Sequence, residues 1–125
     1  MNNGFSVVNH VGITVSNLEK SIEFYETLTG KKISNKDEIG GKRMAQTQGL
    51  DDTLIRYANL HLDNINIDIL EYVEPKSTKA NYSNEQISEM HLCFEVDDIE
   101  AAIARMKEIG LNQKENQFIL KKLMD

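Results

Sequence analysis

One pattern occurs twice in this chain, 81 residues apart, and that repetition restricts the possible folds more than any other feature. The first copy, HVGITVSNLEKSIEFYETLTG, covers residues 10–30, and the second, HLCFEVDDIEAAIARMKEIG, covers residues 91–110. Each opens on a histidine and then alternates. Val11, Ile13 and Val15 oppose His10, Gly12 and Thr14, while Leu92, Phe94 and Val96 oppose His91, Cys93 and Glu95. Period two predicts a strand in both places, over residues 7–15 in the first. A helix start follows each strand. Ser16-Asn17-Leu18-Glu19 fits a capping box, in which a short side chain accepts from early helix N–H groups and the glutamate reaches back. Asp97-Asp98-Ile99-Glu100 is the second such start. Leu18, Ile22, Tyr25 and Leu28 form one apolar stripe, and Ile99, Ile103, Met106 and Ile109 form another. Gly30 and Gly110 stand where a left-handed residue ends a helix. Few residues are identical between the copies, yet histidine, alternation, cap and stripe coincide. The expected organisation is an internal duplication of a strand–helix–strands unit.

Between the copies, residues 34–52 are polar and glycine-bearing. They read as a solvated connector or as a flap over a cavity, with a short strand near Arg43–Gln48. Residues 53–62, TLIRYANLHL, and 65–73, INIDILEYV, predict two further strands joined by a turn at Asp63-Asn64. In the second of these, Ile65, Ile67 and Ile69 share one face, and Asn66, Asp68, Leu70 and Tyr72 share the other. The polar stretch 74–89 holds the one proline, Pro75, and reads as a connection. The expected layout is one domain over residues 1–125, with module one at 5–74, a linker at 75–89 and a shortened module two at 90–125.

A chain of 125 residues with 40% apolar and 27% charged residues fits one globular domain. Its net charge of −6 offers no electrostatic footprint for a phosphate backbone, so nucleic acid is not an expected partner. No apolar run approaches the roughly 20 residues that span a bilayer, so no membrane is expected either. The opening MNNGFSVVNH has no basic segment followed by a long apolar stretch, and the single cysteine, Cys93, has no internal partner. Both features point to a cytoplasmic location.

The repeated histidines carry the chemistry. Two related modules bring equivalent positions together by pseudo-symmetry, so His10 and His91 are expected to project toward a shared site. Imidazole is a common ligand of zinc, nickel and iron, and an oxygen donor usually completes the set. Asp68 is the natural third ligand, because it lies on the face away from the isoleucines. Glu71 is one residue out of phase and is expected to face the other way. Glu95 and Cys93 share the face of His91, the first as an exposed strand residue and the second as a small apolar filler. Arg56, Tyr57 and His61 are positions from which an anionic substrate is reachable, although surface placement is the ordinary fate of Arg56 and His61.

The stretches HVGITVSNLEKSIEFYETLTGKK, INIDILEYVEP and HLCFEVDDIEAAIARMKEIG resemble the vicinal oxygen chelate superfamily over residues 7–110. That superfamily includes glyoxalase I (lactoylglutathione lyase), methylmalonyl-CoA epimerase, extradiol dioxygenases, and bleomycin or fosfomycin resistance proteins. The resemblance implies an α+β fold of paired βαβββ modules, whose curved mixed sheets enclose a cavity holding a divalent metal: Zn, Ni, Co, Mn or Fe. Glyoxalase-like and epimerase-like members take ligands from a histidine on the first strand, a carboxylate or glutamine on the fourth, a histidine on the fifth and a glutamate on the eighth. The first three fall here at His10, Asp68 and His91, with aspartate in place of the usual longer side chain. The eighth-strand glutamate, placed by the repeat, would fall beyond residue 125, so the second module is expected to be incomplete.

What the resemblance implies is a metal-dependent lyase or isomerase, acting on a small substrate with adjacent oxygens and stabilising the charge that develops when a neighbouring proton leaves. The proton-transfer residue has no assignment, since that role belongs to the eighth-strand glutamate in such members. Other expectations are an extradiol-type dioxygenase, a metal-free drug- or metabolite-binding resistance protein, and an inactive shortened homologue. A homodimer is expected to cover the open sheet edges.

Overall fold

The computed structural model describes residues 4–47, 49–50, 52–77, 91–108, 110 and 118–122, with the backbone alone at Met44, Ala45 and 118–122. The chain divides into two compact units, Met1–Thr78 and Lys79–Asp125. In the first, the order is β1 (His10–Thr14), α1 (Leu18–Thr29), β2 (Asn35–Gly40), α2 (Lys42–Thr47), β3 (Leu54–His61) and β4 (Asn66–Glu74). The second holds β5 (Leu92–Val96), α3 (Ile99–Glu108) and β6 (Phe118–Lys122). The fold class is α+β, with a mixed sheet in the first unit and a parallel pair of strands in the second.

The first unit has a four-stranded sheet in the order β1-β4-β3-β2. β1 runs parallel to β4, and β4–β3–β2 is an antiparallel meander. The isoleucine alternation in β4 decides which face the helix covers. Ile67 and Ile69 are buried with Ala58 and Leu60 of β3, and α1 supplies buried Leu18, Ile22 and Tyr25 to the same core. Glu71 faces this helix side: its Oε1 accepts from the Leu18 N–H at 2.8 Å, and its Oε2 lies 3.6 Å from Arg56 Nη1. A carboxylate at that place satisfies an orphan donor at the positive end of α1.

The start of α1 differs from the expected capping box. The cap is Asn17, not Ser16, and its Oδ1 accepts from the Lys20 N–H at 3.0 Å. Glu19 does not reach back. Its Oε1 meets Lys36 Nζ and Arg56 Nη2, each at 3.0 Å, and the Lys36 bond holds its carboxyl below the usual range. Cross-strand cations on β2 and β3 therefore win Glu19 from its own helix. Replacing Asn17 with alanine removes one capping bond and is expected to lower stability by about 1 kcal/mol in denaturant titration. Gly30 ends the helix at φ 73°, where its N–H donates to the Glu26 carbonyl at 2.9 Å.

Two further expectations need correction. β1 begins at His10 rather than at residue 7, and Val7 and Val8 are exposed. The ladder has run out there: His10 pairs with Asn66, the first residue of β4, and the chain turns away at Asp63-Asn64. The segment 34–52 is neither a long loop nor a strand near Arg43–Gln48. It contains β2, paired residue for residue with β3 from Asn35↔Asn59 to Gly40↔Leu54, and then α2. β2 reads NKDEIG and is exposed throughout, so it has no apolar alternation; hydrogen bonds to β3 make it a strand. Gln48 lies outside the described residues, as do 78–90, most of the expected linker.

In the second unit, α3 follows β5 as α1 follows β1, and Asp98 Oδ1 caps it by accepting from the Ala101 N–H at 3.0 Å. Met106 is buried, but Ile103 of the expected stripe is 40% exposed. The sheet of this unit is the parallel pair β5-β6.

Candidate metal centre

Strand register sets two rows of side chains on the face of the first sheet opposite α1. His10, Asn66 and His61 are aligned across β1, β4 and β3. Gly12, Asp68, Asn59 and Asn35 form the next row, which extends to β2. His10 and Asp68 are thus diagonal neighbours, and no side chain at Gly12 stands between them. A Cβ at Gly12 would lie 3.3 Å from Leu70 Cδ1, tighter than ordinary contact, so glycine suits this crowded position.

The diagonal closes. His10 Nε2 lies 3.3 Å from Asp68 Oδ2, with the histidine side chain about half exposed and the aspartate 21% exposed. The flanking bonds fix what each atom offers. His10 Nδ1 lies 2.8 Å from Asn9 Oδ1, an atom that only accepts, so the ring hydrogen of the neutral form belongs on Nδ1. Nε2 then presents a lone pair. Asp68 Oδ1 accepts from Asn59 Nδ2 at 2.7 Å, and Asn59 Oδ1 accepts from Asn35 Nδ2 at 3.2 Å. Oδ2 is the carboxylate oxygen turned toward the ring. On the other side, Asn66 Nδ2 donates to the Asn9 carbonyl, and Asn66 Oδ1 pairs with His61 Nδ1. Asn9 and Asn59 thus each engage the far atom of the facing pair, the first at His10 Nδ1 and the second at Asp68 Oδ1.

Two acceptors in that position need a positive charge between them. A proton on Nε2 supplies one. A divalent ion fits as well: donors about 2.1 Å from a common ion and separated by this distance subtend roughly 100°, between octahedral and tetrahedral angles. Among the described residues, no group of three or more histidine, cysteine, aspartate or glutamate side chains is placed to hold a metal ion. His91 belongs to the second unit, where it is exposed and immediately precedes β5.

The remaining positions singled out in the sequence divide by face. Tyr57 and His61 share the face of Asp68, by register. Arg56 does not: it lies on the helix side, between Glu19, Glu38 and Glu71, and is committed to them. Cys93 and Glu95 are exposed residues of β5. The asparagines Asn9, Asn35, Asn59 and Asn66 were not foreseen. The period-two pattern contained a trace of them, because Asn59 and Asn66 fall in phase with Asp68 once β3 and β4 are paired about the Asp63-Asn64 turn.

The second unit repeats the pairing of the first with a different residue at the decisive place. β5 pairs in parallel with β6, as β1 does with β4. Under the 81-residue shift, Gly12 corresponds to Cys93, and the partner of Cys93 is Ile119. The register position of Asp68 is thus occupied by an isoleucine, a residue type with no donor atom.

The family model of the Glyoxalase/Bleomycin resistance protein/Dioxygenase superfamily matches residues 7–115. Human mitochondrial methylmalonyl-CoA epimerase is 27% identical over 103 residues, which make up 81% of this chain and 52% of that protein. A 2-epi-5-epi-valiolone epimerase from Actinomyces sp is 28% identical over 103 residues, 79% of this chain and 56% of that protein. The chain spans about half the length of these curated relatives. Among solved structures, a glyoxalase family protein from Bacillus cereus superposes with a TM-score of 0.76 at 19% identity, covering 86% of this chain and 74% of that one. A variant of the fosfomycin resistance protein FosX from Listeria monocytogenes, complexed with Mn(II) and 1S,2S-dihydroxypropylphosphonic acid, gives a TM-score of 0.63 at 13% identity, covering 93% and 91%. At these identities the structural likeness speaks for the fold.

Proposed function

This chain belongs to the Glyoxalase/Bleomycin resistance protein/Dioxygenase superfamily, and on that premise we propose that it is a divalent-metal protein of the lyase/isomerase kind, closest in chemistry to an epimerase. The observation that supports this reading is the facing of His10 Nε2 and Asp68 Oδ2 at 3.3 Å, a pair of donors between which a divalent ion would fit. His91 is the proposed third ligand, on the strength of its place in the repeat. Two histidines and one carboxylate hold a metal and leave positions open for substrate.

When bound, the ion supplies a Lewis acid for two neighbouring oxygens of a small substrate. The chain's own contribution is orientation. Asn9 fixes the tautomer of His10, and Asn59 fixes the rotation of Asp68, so the donors are set before any substrate arrives. An epimerisation needs a proton to leave the carbon beside a carbonyl and to return on the other face, with no net change in atoms. The proposed substrate is a small molecule, and the proposed assembly is a homodimer, in keeping with a superfamily whose members commonly form dimers.

The test is proton exchange in deuterium oxide. Purified protein loaded in turn with Mn2+, Co2+, Ni2+ and Zn2+ is offered methylmalonyl-CoA, 2-epi-5-epi-valiolone and the glutathione hemithioacetal of methylglyoxal, with solution mass recorded alongside. The expected result is metal-dependent loss of the exchangeable carbon-bound proton from one of them, abolished by chelator and by His10→Ala. Absence of stoichiometric metal binding, together with no exchange on any probe, overturns the proposal. Ligand binding that survives the chelator instead identifies a metal-free binding protein.

A further inference from the structure

We propose that Asn59, backed by Asn35, is a positioning residue that selects which oxygen of Asp68 faces the cation site. This rests on the metal-binding reading above and adds a residue to it. A carboxylate on a short side chain has two equivalent oxygens and a torsion that turns freely between them. Aspartate also reaches less far than glutamate or glutamine, so a misrotated group has little slack with which to recover. The structure removes that freedom. Asn59 sits directly opposite Asp68 in the β3–β4 ladder, and its Nδ2 donates to Oδ1 at 2.7 Å, a short bond of the kind made to a charged acceptor. With Oδ1 engaged, Oδ2 is the oxygen 3.3 Å from His10 Nε2.

An amide can do this only if it cannot flip. Rotated by half a turn, Asn59 would present its own oxygen to the carboxylate and repel it. Asn35 prevents this. It pairs with Asn59 across the β2–β3 ladder, and its Nδ2 donates to Asn59 Oδ1 at 3.2 Å. The result is a one-directional relay from the edge strand inward: amide to amide, amide to carboxylate, carboxylate toward the ring. β2 is exposed along its length, and its ladder to β3 sets Asn35 opposite Asn59. Outer partners of this kind orient metal ligands, and their loss commonly weakens binding by about 10–100-fold.

The full chain is compared with Asn59→Leu, which keeps the volume and removes the donor, and with Asn59→Gln, which keeps an amide. Readouts are Mn2+ affinity by calorimetry, the visible absorption bands of the Co2+-loaded protein, and the melting temperature of the metal-free protein. The expected result is Mn2+ binding about 10–100-fold weaker in Asn59→Leu. Its Co2+ bands should shift, because both Asp68 oxygens become available. Asn59→Gln is expected to recover most of the affinity. A lower melting temperature with unchanged Mn2+ affinity and unchanged bands assigns Asn59 a purely structural role and overturns the proposal. Where Asn59→Leu does not fold, Asn35→Leu decides. Loosening the anchor should weaken Mn2+ binding and shift the bands, and a wild-type profile overturns the proposal. Failure of the unmodified protein to bind Mn2+ or Co2+ is a different outcome, since it sinks the metal reading itself.

Discussion

Asp68→Ala protein is expected to lose divalent-metal affinity by about 100-fold or more, at or beyond the upper end of what the loss of a supporting partner costs. The reason lies in charge as much as in number of donors. His10 and His91 are neutral when they ligate, so Asp68 is the anionic member of the proposed set. Its removal also takes away the group facing His10 Nε2 at 3.3 Å, leaving that lone pair without a counterpart. The fold has little reason to suffer. Asp68 lies on the sheet face opposite α1, where its partners are Asn59 and His10. Calorimetric titration with Mn2+ checks the affinity, and circular dichroism checks that the sheet persists. A folded Asp68→Ala protein that binds Mn2+ like the parent would remove Asp68 from the site.

The residues of β4 explain how much of this was readable beforehand. Ile67 and Ile69 alternate with Asn66 and Asp68, and period two is enough to say that one set is buried and the other is not. The same logic separated Glu71 from Asp68, and the structure has Glu71 on the helix side, bonded to the Leu18 N–H. Alternation says nothing about rotamers or about diagonal reach. That His10 turns toward Asp68 depends on the parallel register His10↔Asn66, on the missing side chain at Gly12 and on the Asn9 bond, none of which is a local property of the sequence. β2 was missed because its residues carry no apolar period. It is a strand through its ladder to β3, a tertiary cause. Arg56 was open to a substrate role because its nearest anions come from α1, β2 and β4, distant in sequence and adjacent only after folding.

The repeat also acquires a different meaning once register is known. By the 81-residue shift alone, the eighth-strand position falls beyond residue 125 and the second module is expected to be incomplete. The pairing of β5 with β6 is the pairing of β1 with β4, each in parallel and each with a helix between the partners. By position in its sheet, β6 therefore corresponds to β4. What the second unit lacks, among the described residues, are counterparts of β2 and β3, the strands that in the first unit supply Asn35 and Asn59. The two units are thus unequal in kind. The first has a carboxylate at the register position and the amides that orient it, and the second has an isoleucine there and no described strand to bear such amides.

The other large effect concerns stability, and it comes from the neighbour of Asp68 on the same strand. Ile69→Ala is expected to destabilise the protein by about 3 kcal/mol, within the usual 2–5 kcal/mol for a buried aliphatic truncation. Ile69 is fully buried and stands between Ile13 of β1 and Ala58 of β3 in the ladder. The layer above it comes from α1, whose Leu18, Ile22 and Tyr25 are buried as well. Rigid strands on both sides and a helix overhead leave the cavity little room to collapse, so transfer and cavity costs add. Because Ile69 points away from the His10–Asp68 face, the folded fraction of Ile69→Ala protein should keep its Mn2+ affinity within a few-fold. Urea titration followed by far-UV circular dichroism measures the first quantity, and calorimetry below the unfolding transition measures the second. A loss under about 1 kcal/mol would mean that α1 does not cover this strand as described. Parallel losses of stability and affinity would mean that the two faces of β4 are not independent, and that the cation site draws its geometry from the core rather than from its asparagines.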